Sequence, residues 1–284
     1  MNMTEMHGPD IVVRTISVPT PKGALKKLWQ YHSRSDHHSK VACWAILFDL
    51  LNHSALLRQH VRSGRIGFGV NHEMRDFRTR RKKKLDLVLS TPRAEQQKRR
   101  PTTLDSLARK WNIQLTVAET KILSTFPKLA ETPVGNVYVA LEAKAAMTEH
   151  GKAESRLYDE LNSSHDAVHG AAEMAIAAGF VMVNMSLEFI SPGRGTYENP
   201  VISKHDQPRV TASLISKVLE IPRRSTTSTA GFDALGIVVV EAKNDKSPVR
   251  LVTGPPAPAQ GDPVHYDAMI RRIIQLYEAR FPHA

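Results

Sequence analysis

The chain has 284 residues, with 39 lysines and arginines against 28 acids and a formal net charge of +11. That balance favours a polyanionic partner, nucleic acid ahead of an anionic membrane surface. The single cysteine, Cys43, excludes an intramolecular disulfide and a cysteine-built zinc site. Residues 1–14 have no signal-peptide core, and no run of about 18 apolar residues suggests a membrane span. A soluble protein of the reducing cytoplasm is expected, and the 41% hydrophobic content is enough for a sizeable core.

In chain order, residues 1–38 are polar apart from a strand-like Ile11-Val12-Val13. The histidine-rich stretch at 32–38 reads as a polar loop before a helix rather than a metal site. Ser39 is a plausible helix N-cap. Val41, Trp44, Leu47, Phe48 and Leu51 then recur at helical spacing. A helix is expected over about 40–62, with a break at Asn52-His53-Ser54 and an end at Gly64. Cys43 lies in it as a small packing residue.

A strand follows from Ile66 towards Phe77. The run 78–83 carries five lysines and arginines and suits a hairpin connection. Lys84-Leu85-Asp86-Leu87-Val88-Leu89 reads as the return strand, with one acid inside an apolar run. Residues 91–135 look inserted. They open on a second basic run, Arg93, Lys98, Arg99 and Arg100. A short amphipathic helix carrying Leu104, Leu107, Ala108 and Trp111 and a strand over 113–117 are expected next.

The stretch Asn136-Val137-Tyr138-Val139-Ala140-Leu141-Glu142-Ala143-Lys144 is a strand that ends in charge. Residues i and i+2 share a face of a strand, so Glu142 and Lys144 project together and Ala143 faces away. Burying such a pair is costly unless it has a task. A carboxylate holds Mg²⁺ well, and a lysine beside it can orient or deprotonate a water. Asp86 offers a second carboxylate if the two strands are neighbours.

Beyond Lys144 a helix is expected to break at 162–165. A second helix, capped by Asp166, should run over 167–178 and stop at Gly179. Residues 180–185 form a buried strand. Residues 186–230 read as loop with one helix near 210–219, and Ser225-Thr226-Thr227-Ser228-Thr229 as a flexible or phosphate-contacting stretch. A strand at 235–240, a proline-rich turn at 255–258 and a helix over 266–280 close the chain.

Asp86 and Glu142-Ala143-Lys144, set in the order helix, strand, strand, insertion, strand, helix, strand over 40–185, resemble the PD-(D/E)xK nuclease superfamily. Many type II restriction endonucleases belong to it. The long insertion before Glu142, and Leu85 where proline often precedes the first acid, are departures. The resemblance implies an α/β fold with a mixed central sheet flanked by helices. Its αβββαβ core would lie in 1–190, with the insertion at about 91–135. Residues 191–284 would form a C-terminal extension packed on the core, a candidate for DNA recognition.

The function it implies is a Mg²⁺-dependent DNA endonuclease of restriction type. Asp86 and Glu142 would bind the cation, helped by the Ala143 carbonyl, and Lys144 would position the attacking water. Arg80, Arg81, Lys82 and Lys83 would hold the backbone of double-stranded DNA, and a homodimer is the expected assembly. The alternatives are a non-cleaving nucleic-acid-binding protein on a nuclease-like fold, or a repair or recombination nuclease.

Several other residues compete. Asp233 with Glu241-Ala242-Lys243 repeats the pattern, but both acids fall on one strand, about 27 Å apart at its usual rise. Glu73 and Asp49 are candidate third acids, Glu73 being expected to pair with an arginine. His165 and His169 have the i, i+4 spacing of helix-borne metal ligands, with helix-end polar contacts as the plainer expectation. A P-loop, a helix-opening G-x-G-x-x-G and a G-x-S-x-G elbow are all absent, so those chemistries lack support.

Overall fold

The computed structural model describes residues 5–23, 26–93 and 101–284. Its centre is a mixed sheet of six strands. In chain order these are β3 (Gly67–Arg75), β4 (Lys82–Pro92), β5 (Val134–Ala146), β6 (Ile176–Asn184), β9 (Ala234–Glu241) and β10 (Arg250–Val252). In space they run β10-β9-β6-β5-β4-β3. The run β5, β6, β9 is parallel, while β3, β4 and β10 pair antiparallel with their neighbours. Every residue of β6 is buried. That suits a central strand covered on both faces, and its sequence is accordingly apolar or small up to its last residue, Asn184.

Helices cover both faces. On one side lie α1 (Gly8–Ser17), α2 (His37–His53) and α8 (Tyr266–Arg280). Trp44, Phe48, Met269 and Ile273 pack there with Leu87, Leu89, Leu141 and Phe180 of the sheet. On the other side lie α6 (His150–Ala171) and α7 (Arg209–Leu219). Leu157, Leu161, Leu214 and Val218 pack there with Val88, Ala140, Val181 and Val239. The alternation along β4 thus sends Leu87 and Leu89 one way and Val88 the other.

The helix expected over 40–62 is two helices. At Ser54 the chain turns by 100° into α3 (Ala55–Arg62), and the Ser54 hydroxyl caps α3 by accepting from the Leu57 N–H at 3.2 Å. Ser39 is not the N-cap of α2. The helix begins at His37, after Asp36. Ile11-Val12-Val13 is not a strand. It lies in α1, whose buried stripe Ile11, Val12 and Ile16 packs on α2, so tertiary contact overrides β-branched preference.

Residues 113–117 are not a strand either. After α4 (Leu104–Lys110), Thr116 and Glu119 form a capping box that opens α5 (Val117–Thr125). The break expected at 162–165 is also absent. Asn162, Ser163 and Ser164 turn their side chains back onto the carbonyls of Tyr158 and Glu160, so α6 runs on for 22 residues. Residues 176–178 therefore belong to β6, not to a second helix. Within 186–230 a hairpin forms from β7 (Glu188–Gly195) and β8 (Pro200–Lys204). A shorter hairpin, β1 (Thr20–Lys22) with β2 (Lys27–Trp29), packs against its loop through Trp29 and Tyr197.

The boundary expected at 190 falls inside β7, and the segment after it supplies β9 and β10 to the same sheet. No single helix among the described residues is long and apolar enough to cross a membrane.

Asp49, a candidate third acid, has a different task. It is buried in α2 and caps α1, accepting from His7 N–H at 3.0 Å and Gly8 N–H at 2.8 Å. The Tyr266 hydroxyl adds a third hydrogen bond at 3.0 Å. Burial pushes its carboxyl up to about 6 against those donors. Asp49→Ala leaves these donors without their acceptor, so it is expected to cost about 1–3 kcal/mol in a urea melt. An unchanged unfolding midpoint would remove the cap from the account.

Candidate active site

β4 and β5 pair as far as Leu87↔Leu141 and then separate, while β4 stays with β3 down to Lys82↔Arg75. At the fork the Asp86 carboxylate takes the place of a ladder carbonyl. Its Oδ2 accepts from the Ala143 N–H at 2.8 Å. The residues flanking Ala143 are Glu142 and Lys144, so Asp86 and the pair meet where the strands part.

Glu142 is 2% exposed. Its Oε1 lies 2.7 Å from Lys144 Nζ and 3.7 Å from Lys83 Nζ. Its Oε2 is buried with no hydrogen-bond partner. Lys144 Nζ also reaches Glu160 Oε2 of α6 at 2.9 Å. Ser39, in the first turn of α2, lies against Asp86.

The charges follow from this packing. Burial pushes Asp86 up, opposed by the Ala143 N–H and by Lys144. Burial also pushes Glu142 up, opposed by Lys144 and reinforced by Asp86. For Lys144 burial acts downward, but the Glu142 and Glu160 carboxylates outweigh it and hold the ammonium above the usual lysine value. Lys144 therefore keeps its proton in this state and acts as a charged hydrogen-bond donor.

Glu160 and Lys83 are the residues that sequence reasoning misplaces. Glu160 is not among the residues the motif marks out, yet it neighbours the buried Leu161 and leans over the strand to Lys144. Lys83 counts there among the outward cations. It instead turns to Glu142 and to the Glu160 carbonyl at 3.3 Å. The alternation holds the clue, since Lys83 shares a strand face with Leu85, which is buried.

The rest of the basic hairpin does face outward. Arg80, Arg81 and Lys82 are exposed, and Phe77 beside them is 74% exposed. Asp76 organises the turn, accepting from Arg78 N–H at 2.8 Å and the Thr79 hydroxyl at 2.6 Å. Glu73 pairs with Lys82 at 2.8 Å, not with an arginine, because the cross-strand neighbours in this register are lysines. Lys98, Arg99 and Arg100 of the second basic run lie outside the described residues.

The rival set does not assemble. Asp233 is buried and paired with Arg280 at 2.6 Å, with the Ala177 N–H at 2.9 Å and with His169 at 3.5 Å. Glu241 and Lys243 are exposed at the opposite end of β9. His169 is further occupied by Arg224 and the Gly231 carbonyl, and His165 by Asn162 and Asp166. His165 Nδ1 makes no hydrogen bond, with a carboxylate, Asp166, at 3.2 Å, but among the described residues no set of three ligands gathers around either histidine.

Among the described residues no group of three or more His, Cys, Asp or Glu side chains is gathered into a metal cage. Mg²⁺ does not require one. It keeps several waters and takes one or two carboxylates together with substrate phosphate. The orphaned Glu142 Oε2 beside Asp86 fits that demand, because a buried carboxylate oxygen without a donor is costly and a cation would satisfy it.

No protein-family model, curated protein or solved structure matches the chain.

Proposed function

We propose that the chain is a Mg²⁺-dependent DNA endonuclease of the PD-(D/E)xK type, built to cut at specific sequences. The observation that carries the reading is the fork between β4 and β5. It sets Asp86 against Ala143 and leaves Glu142 Oε2 unpartnered next to an ammonium. With α3 and the inserted α4 and α5 set aside, the order α2, β3, β4, β5, α6, β6 supports it, since it follows the αβββαβ order of that superfamily.

Asp86 and Glu142 would hold Mg²⁺, with the Ala143 carbonyl as a third oxygen. When bound, Mg²⁺ stabilises charge developing on a phosphate and eases ionisation of water. Lys144 donates from its ammonium and orients the attacking water against the scissile phosphate. Glu160 keeps that ammonium in place. Lys83 is a second cation near Glu142, at 3.7 Å, and so moderates the cost of burying two carboxylates together.

The test is incubation with mixed plasmid and phage DNA in Mg²⁺. Discrete fragments are the expected result. A smear would mean a non-specific repair or recombination nuclease. Intact DNA in both Mg²⁺ and Mn²⁺, with DNA binding retained, would leave the non-cleaving binding protein in its place.

The hairpin makes a separate prediction. Arg80, Arg81 and Lys82 replaced together by alanine should flatten the salt dependence of DNA binding, by about 0.9 in log–log slope for each phosphate no longer neutralised. Lys83 is kept in that variant because it faces Glu142. An unchanged slope would take the hairpin off the binding surface.

A further inference from the structure

The first turn of α2 has two sets of neighbours. Ser39 stands by Asp86, and His38 lies within electrostatic reach of Lys144. Asp36, His37 and Lys40 line an open cleft of about 1120 Å³. Its other walls are the β1 hairpin, the segment that leads into α2 and the residues that close α4.

This cleft is strongly and unevenly charged. Five lysines and arginines line it, Lys22, Lys26, Arg34, Lys40 and Lys110, against the one carboxylate of Asp36. Asp36 is already spent on Lys40, at 2.7 Å. Lys22 is structural. Its ammonium is buried on the Thr20 hydroxyl and the Trp29 carbonyl, and burial pulls it down to about 8. Lys26, Arg34 and Lys110 remain. They are exposed, and no described carboxylate lies within ion-pair distance of them. The His37 Nε2 nearby is buried without a partner.

Three uncompensated cations around one concave surface repel each other and focus a positive potential into it. A small anion would leave most of so wide a cleft empty, since small-ligand sites bury most of their ligand. A polymer with a phosphate at every step fits both the width and the spread of charge. The turn of helix shared with Asp86 puts that polymer beside the cleavage chemistry.

We propose that this cleft holds the sugar–phosphate backbone of DNA on the flank of the cut, as a subsite distinct from the basic hairpin. It rests on the nuclease reading for the identity of the polymer. Its contacts are to phosphate alone, so it contributes affinity and register rather than base specificity.

The test uses the full chain and duplex DNA without divalent cation, so that binding is read apart from cutting. The variant K26A/R34A/K110A removes three exposed side chains and should melt like the wild type. It is expected to bind more weakly and to lower the log–log salt slope by up to about 2.7, from about 0.9 per phosphate over three contacts. A control variant, R62A/R223A/R272A, removes the same charge from exposed positions outside the cleft and should change the slope much less.

Wild-type slope in the cleft variant would overturn the subsite, and so would equal losses in the two variants. A wild type that binds no duplex would do the same. A flattened slope in the cleft variant alone, with a wild type that never cuts, would keep the subsite and remove the nuclease reading. A flattened slope with a wild type that cuts supports both.

Discussion

Lys144→Ala is expected to slow DNA cleavage about 10²–10⁴-fold, the range typical of a positioned proton-transfer or hydrogen-bonding group. DNA binding should survive, because Lys144 is half-buried at the fork and its ammonium contacts Glu142 and Glu160. The variant also leaves Glu142 deep in the protein with only Lys83 at 3.7 Å. Stripping one partner from a buried ion pair destabilises, so a melt must accompany the assay. Lys144→Gln keeps a donor without the charge and separates the loss of ammonium from the loss of fold. Lys243→Ala is the control. That side chain is exposed, and among the described residues no carboxylate cluster gathers around it, so activity should be unchanged. A dead Lys243→Ala together with an active Lys144→Ala would move the active site to the rival strand.

Some of this structure is legible in the chain because the signals are local. The i, i+2 spacing of Glu142 and Lys144 on an apolar strand is a two-residue pattern, and α8 spans the same residues, 266–280, that its apolar periodicity marks out. The misreadings share a different cause. Ile11-Val12-Val13 looks like a strand until Asp49, some forty positions away, caps the helix and α2 covers it. The run 162–165 looks like a break because Asn and Ser favour loops. Their side chains satisfy the helix carbonyls instead.

At the site, Asp86 is legible as an acid inside an apolar run. Glu160 is not, because its partnership with Lys144 depends on how far α6 runs and at what angle it returns over β5. The hairpin hides Lys83 in the same way. Six consecutive polar residues look uniform until the strand register turns one of them inward.

Mg²⁺ is expected to raise the melting temperature of the wild type and to leave that of Glu142→Gln unmoved. A ligand that binds only the folded chain stabilises it by about 2.7 kcal/mol when present at 100 times its Kd. This readout needs no substrate and no turnover. Its pH dependence follows from burial, which raises both Asp86 and Glu142 above their usual values. Without the cation, the folded chain holds these two protons more tightly than the unfolded chain does. Their contribution to stability is therefore greatest below the unfolded carboxylate values, about 4, and is lost as pH rises through the raised folded values. With the cation the sign reverses, since it needs both carboxylates ionised. The Mg²⁺-induced shift should thus grow with pH across a window lying above the ordinary carboxylate range, and then level off. Glu142→Gln should flatten the cation-free slope as well, because one of the two titrating groups is gone. A shift that persists in Glu142→Gln, or one that ignores pH throughout this window, would place the cation elsewhere in the protein and leave the orphaned Glu142 oxygen without a role.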